Sequence, residues 1–326
     1  MSYKTTDGLM RHLRNTGISI AGSTQKRNLL NTGYFHGYKG YRFFKHSQNR
    51  LPFSSYDEVY ATIQYDSKLK ALFYSKIMFI ETALKNLALE SVLIDAHSES
   101  IQAMMDKVIC GYKNAPHSSS ADQKKKFQQN KLNLLNSIQS NIARAYKAGN
   151  PQIAHFYNNT GYSEVPIWAL FEILTMGDFG FLLSCMTYNA RDSVANKLGI
   201  GVARDTNREL VHKYIYTLKD LRNAVAHNHV VFDTRFRNID PTKAMRQCLV
   251  QEIGLPFVNF ESIGDYVILM CFILKLLRVP KTEIKAFVRD FERTTDEYRK
   301  AVSSGVASIV IRKDLSSRLV LLKNFI

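Results

Sequence analysis

A chain of 326 residues with 45% hydrophobic content carries enough apolar surface for one large core or two smaller ones. Lys and Arg number 44 against 28 Asp and Glu, a formal net charge of +16, so a polyanion is the natural partner, with RNA, DNA and an anionic membrane surface all open. The longest apolar run, residues 267–274, stops at Lys275, well short of the roughly 18–20 residues that span a bilayer. The N-terminus MSYKTTDGLMRHLR has no apolar signal segment, so a soluble, cytoplasmic protein is expected. Cys110, Cys185, Cys248 and Cys271 lie far apart without paired spacing and read as reduced core residues, not a zinc site or a disulfide framework.

Residues 1–54 form the first segment. A short amphipathic helix is expected near 4–16, followed by the aromatic stretch 31–46, where Gly33, Gly37 and Gly40 are expected to interrupt any long helix. Between and after those glycines Tyr34, Phe35, His36, Tyr38, Tyr41, Phe43 and Phe44 interleave with Arg42 and Lys45. Most of these rings are expected to pack the segment onto a helical core. The other use of such a pattern is to stack RNA bases while basic groups meet phosphates, with Tyr38, Arg42 and Lys45 as its exposed members.

Residues 55–326 read as a helical domain with an insertion around 97–131. Ser55 and Glu58 form a capping box, and Val59, Ile63, Leu69, Phe73, Ile77, Ile80, Leu84 and Leu87 then keep helical spacing to about residue 96. Glu81 sits in this apolar run, four residues before its helix partner Lys85. Within 97–131, Gly111, Pro116 and three serines ahead of Lys124, Lys125 and Lys126 mark a loop leading into a basic helix start. The lysine triplet is a solvated face or a steering patch for RNA. A helix is expected over 127–148, a loop over 151–164, and a helix from Pro166 with Trp168 as a core anchor. Gly177 and Gly180 allow a kink or a close crossing, and a further helix is expected over 187–197.

The stretch TNRELVHKYIYTLKDLRNAVAHNHVVFDTR, residues 206–235, organises the rest. Leu210, Tyr214, Leu218, Leu221 and Val225 share a helical stripe, with Thr206 and Glu209 as a capping box. Arg222, Asn223 and His227 arrive together where the stripe ends, so a cation, an amide and a titratable imidazole converge at one helix tip. Arg235 and Arg237 follow in a β-branched, aromatic run and add positive charge.

Arg-Asn, three residues, then His resembles the motif of HEPN ribonucleases. LRNAVAHNHVVFD is similar to the abortive-infection (Abi-like, AbiD/AbiF type) branch, as are VPIWALFEILTMGDFGFLL (165–183) and NTGYFHGYKGYRFF (31–44). The likeness runs in order over about the first three-quarters of the chain. It departs at Asn228-His229 and Val231-Phe232, where relatives carry His-Asn/Ser and a Leu-Trp pair. The resemblance implies an all-α, HEPN-type helical bundle and a metal-independent endoribonuclease, or a non-cleaving RNA-binding protein docked to a regulatory small RNA or a partner. It implies His227 as acid/base, Arg222 as phosphate clamp, Asn223 as a positioning group, Glu81 as an orienting carboxylate, and a homodimer in which two tips meet. His229 fits a looser spacing and ranks behind His227. No cofactor or metal is expected: phosphate-loop, zinc-helix and nucleophile-elbow motifs are absent, and His12, His36, His46, His97, His117, His155 and His212 are scattered without ligand spacing.

The last quarter suggests helices over 241–253, 261–278, 281–302 and 313–325. Its run VASIVI, residues 306–311, is expected as a strand.

Overall fold

The computed structural model describes residues 5–158 and 164–326. The beginning of the first expected helix at residue 4, and most of the latter half of the expected loop 151–164, lie outside the described residues. The fold is all-α, with helix over 70% of the chain and no sheet among the described residues. Two compact units are resolved by their internal contacts: residues 1–77, 220–241 and 249–326 form one, and residues 78–219 and 242–248 the other.

In the first unit, α1 (Thr6–Asn15) and α2 (Gly22–Thr32) pack together and lead into a π-helix, Gly33–Lys39. The glycines were expected to break the chain here; the backbone instead widens its turn. Gly33 takes φ +73°, and a Cβ on Gly37 would lie 2.9 Å from Thr32 Oγ1, so small residues permit the wide coil instead of ending it. Residues of α3 (Tyr56–Ala96) up to Ile77 follow. The start of α3 is held as its capping box foresees: Glu58 accepts from the main-chain N–H of Ser54 at 2.7 Å and of Ser55 at 3.4 Å, and Ser55 Oγ accepts from Glu58 N at 3.4 Å. Burial opposes the Glu58 charge, yet hydrogen bonds from Ser54 and Ser303 overcome it and hold the carboxyl at about 2.

At the centre of this unit lies α12 (Ile263–Leu276), buried on every side from Ile263 to Leu274, as an all-round apolar helix must be. It packs on α13 (Lys281–Ala301) and α15 (Leu315–Phe325). Residues 306–311, expected as a strand, belong almost wholly to α14 (Ser304–Val310). Their β-branched content is outweighed by Val306, Ala307 and Val310 falling on one buried helical face. Arg318 and Asp265 form a 2.5 Å ion pair with side chains 1% and 0% exposed, while Asp265 also accepts from Phe260 N at 2.8 Å.

In the second unit, the expected insertion holds α4 (Ile101–Lys107) and the first turns of α5 (Ala121–Lys147). The helix starts at residue 121, not 127, because Ser120 and Gln123 close a reciprocal capping box. Helix α6 (Pro151–Asn158) occupies the start of the expected loop 151–164, Asn150 Oδ1 accepting from Gln152 N and Ile153 N. Against α5 lie α6, α7 (Ile167–Ile173) and α8 (Met176–Cys185). A Cβ on Gly180 would sit 3.2 Å from Ile215 and Tyr216 side-chain atoms, so the close crossing is realised there. Trp168, expected in the core, is 41% exposed and donates its indole N–H to Glu99 at 3.2 Å, the polar handle pulling the ring to the surface. The helix α9 spans Tyr188–Lys197, α10 spans Leu210–Ala226 and α11 spans Lys243–Ile253. The N–H groups at the start of α10 are met by Asp205, whose carboxylate accepts from Glu209 N and Leu210 N at 2.9 Å each. Asp205 thus takes the role expected of Thr206, since it is buried beside the orphan donors with both oxygens available.

Candidate functional site: an imidazole-lined cleft at a helix tip

The end of α10, which belongs to the first unit, is a Schellman turn. His229 N donates to Ala224 O at 2.8 Å and Asn228 N to Val225 O at 3.3 Å, with Asn228 in the left-handed region at φ 55°. Asparagine is one of few residues that take this conformation at low cost. The turn reverses the chain so that His227 and His229, on either side of Asn228, are both exposed, their ring centres 6.0 Å apart. Among the described residues no hydrogen bond reaches either imidazole from the protein.

Two buried groups of α3 fix this tip. Asp66, 0% exposed, accepts from Val231 N at 2.7 Å, Phe232 N at 2.8 Å and the Tyr41 hydroxyl at 2.7 Å. Burial, then the Asp66 charge, pushes the Tyr41 phenol far above its ordinary range, so it stays a hydrogen-bond donor at any physiological pH. One turn on, Lys70 pairs with Asp66 at 3.0 Å and donates to Asn228 Oδ1 at 2.5 Å.

Above the tip lies a cleft of about 710 Å³ lined by Ile63, Gln64, Ser67 and Lys70 from one face of α3, His227–Val230 from the tip, Arg235 and Phe236 beyond it, and residues of the α2 end, the π-helix and the turn after it. The π-helix contributes Phe35 and His36. Three imidazoles, one ammonium and one guanidinium therefore face one space, and no carboxylate is on its lining. Such a lining suits an anion.

The sequence-picked residues fall into two groups. His227 and His229 line the cleft; Arg222 and Asn223 stand one turn back, with Arg222 Nη1 3.4 Å from Asn223 Oδ1, and neither is among its lining residues. Arg235 lines it but is bound internally: it pairs with fully buried Asp233, donates to Gly40 O at 2.8 Å and Phe43 O at 2.9 Å, and lies 4.2 Å from the Phe43 ring centre. Tyr38, expected at the surface, is only 8% exposed, because the π-turn directs it inward beside Tyr34. Arg42 and Lys45 are half-buried. Burial lowers the Lys45 ammonium, with Glu261 at 3.7 Å opposing that shift. Arg237 meets Asn259 O and Asp240.

The remaining candidates belong to the second unit. Glu81 is buried, with Lys85 3.2 Å away on its own helix. Lys124, Lys125 and Lys126 are in the first turns of α5, the last two exposed. Sequence reasoning passed over His36, Lys70 and Phe35. His36 was set aside with the other scattered histidines, and only its place between two glycines of an aromatic run hinted otherwise.

Fold and site together define an all-helical protein that presents an imidazole-rich, carboxylate-free cleft. The family model described as Abi-like protein matches residues 27–233, which takes in the π-helix, α3 and the tip of α10. The chain belongs to the Abi-like protein family, and membership suggests a role in abortive infection. No curated protein and no solved structure matches it. Among the described residues no helix is long and apolar enough to cross a membrane.

Proposed function

We propose that this protein is a metal-independent endoribonuclease of the HEPN type, acting in abortive infection and cutting RNA with the RNA's own 2′-hydroxyl as nucleophile. The observation that carries the reading is the cleft at the α10 tip, where His227 and His229 face the same space as Lys70 and His36 without an acidic neighbour on the lining. An imidazole suits proton transfer near neutral pH. His227 takes the 2′-hydroxyl proton or returns one to the leaving 5′-oxygen. Arg222 steadies the phosphorane charge and Asn223 holds it in place, and the products are a 2′,3′-cyclic phosphate and a 5′-hydroxyl. The chain's charge of +16 draws RNA in.

Two imidazoles are needed if one is to act as base and the other as acid. A homodimer with facing tips supplies them from two copies of His227. The 6.0 Å separation of His227 and His229 favours a second arrangement, in which one chain carries both. The position of Arg222 and Asn223 off the cleft lining favours a different reading of the site, in which RNA is bound and not cut.

Total RNA incubated with the purified protein in EDTA tests the proposal. Fragments ending in cyclic phosphate are expected from the wild type and not from His227→Ala or Arg222→Ala. Undiminished cutting by both variants would remove the site. Tight, salt-sensitive binding of intact RNA would establish the non-cleaving reading.

A further inference from the structure

The rings of residues 34–44 are not used alike. Tyr38 and Tyr41 are buried, and Tyr34, Phe43 and Phe44 are half-buried, but Phe35 is 73% exposed. A phenyl ring left this far in water adds almost nothing to folding, since apolar stabilisation scales with the area removed from water. Phe35 and its neighbour His36 line the same cleft as His227 and His229. The His36 ring stands edge-on to Phe35, centres 6.3 Å apart and planes at 86°, and Lys39 Nζ is 6.0 Å from the Phe35 ring centre.

Gly37 and Gly40 line the cleft without a side chain of their own, the place of a Gly37 Cβ being taken by Thr32 Oγ1, 2.9 Å away. A flat ligand against Phe35 therefore shares its lining with these two glycines and with the cleft's basic side chains.

We propose that Phe35 is the stacking platform for an unpaired nucleobase, and that the substrate is single-stranded RNA. This rests on the reading of the cleft as an RNA-cutting site, and it names the form of RNA taken. A base within a duplex is covered on both faces by its neighbours and offers only edges, whereas an unpaired base offers a face. Phe35 has no hydrogen-bonding group to read an edge, so the subsite tolerates any base. Lys39 beside the ring and the imidazoles across the cleft meet the flanking phosphates. A polyanion is favoured over an apolar protein segment because no carboxylate lines the cleft and the chain carries a charge of +16.

The test measures binding of the full chain to a fluorescein-labelled, unstructured oligoribonucleotide and to the same sequence in a duplex. Phe35 is exposed, so Phe35→Ala leaves the fold intact, which thermal melting checks. It is expected to weaken single-strand binding about 10- to 100-fold and leave duplex binding unchanged, while Phe35→Trp restores it. A 2-aminopurine base in the oligonucleotide is expected to be quenched by the wild type and not by Phe35→Ala. If the wild type cuts RNA and Phe35→Ala binds single strands equally well, the platform is wrong and the nuclease reading survives. If Phe35→Ala instead lowers the sedimenting mass with no change in RNA affinity, the ring is covered by a second copy and the proposal falls. A wild type that neither binds nor cuts RNA removes the underlying reading as well.

Discussion

Lys70 Nζ donates to Asn228 Oδ1 at 2.5 Å, joining α3 to the one left-handed residue between the two tip histidines. The bond ties the orientation of both imidazoles to a buried ion pair with Asp66. Two effects meet at Asn228, backbone conformation and side-chain hydrogen bonding, and two variants separate them. Asn228→Gly keeps the left-handed turn and loses only the bond from Lys70. Asn228→Ala loses both, and a Cβ without a local polar group costs roughly 1–2 kcal/mol at such a φ. Urea denaturation is expected to rank wild type above Asn228→Gly above Asn228→Ala. Equal stability of the two variants would show that the backbone strain is relieved elsewhere.

Arg235 makes a different case, because a sequence-level phosphate contact is occupied within the fold. Its partner Asp233 is fully buried and also accepts from Lys45 N at 2.7 Å. Removing the guanidinium strands that carboxylate, and breaking a buried pair costs about 3–5 kcal/mol. Arg235→Ala is therefore expected to lower the melting temperature sharply. Arg235→Lys is expected to rescue little, since an ammonium cannot reach Gly40 O, Phe43 O and Asp233 together. A stable Arg235→Ala with weakened RNA binding would return the residue to the role its charge first suggests.

What the sequence disclosed, and what it hid, follows from which physical signals have a period. The stripe from Leu210 to Leu221 is readable because burial repeats every three or four residues, and α12, buried on every side, is readable because its apolar stretch is longer than a strand. The tip itself was visible as polar residues arriving where a stripe ends. The π-helix was not, since a wide turn has no hydrophobic period and its glycines look like breakers. Residues 306–311 do not declare their structure because a run of six residues with five apolar ones fits either period. Arg235 shows a further limit: residue type gives a charge but not its partner, and the pairing with Asp233 depends on a turn of the chain with Thr234 at φ 61°.

Two buried titratable groups lower the stability of the fold in acid, in windows that overlap below about pH 4.3. Burial pushes the His212 imidazole down to about 3, helped by the charges of Lys213 and Arg191. The unfolded chain binds that proton near pH 6.5 and the folded chain does not, so stability declines as pH falls from about 6.5 towards 3. Glu58, held at about 2, contributes stability that is present above the ordinary carboxylate range, near pH 4.3, and lost as pH falls towards 2. Melting temperature measured from pH 8 to pH 3 is expected to fall in both windows. His212→Phe is expected to flatten the decline between about pH 6.5 and 4.3, where His212 acts without Glu58, and Glu58→Gln to lessen the slope below about pH 4.3 alone, each against a lower baseline at neutral pH if packing or hydrogen bonds are disturbed. An unchanged upper window in His212→Phe would place the proton uptake elsewhere.

The 6.0 Å spacing of His227 and His229 makes the number of chains per site measurable. In-line displacement places the attacking 2′-oxygen and the leaving 5′-oxygen on opposite sides of phosphorus, so base and acid must stand on either side of the phosphate. Under the proposed mechanism the pair comes either from one Schellman turn or from the facing tips of two chains, and the two cases differ in what mutation and mixing do to the rate. His227→Ala is expected to lower the rate by roughly 10²- to 10⁴-fold, the usual worth of general acid–base catalysis. His229→Ala is expected to lower it by a similar factor. Mixing His227→Ala with wild type at fixed total concentration completes the test. Activity linear in the wild-type fraction means that one chain holds the whole acid–base pair, since each wild-type chain then works alone. Activity falling with the square of that fraction, together with a His229→Ala variant at full rate, would assign the second imidazole to His227 of a facing copy.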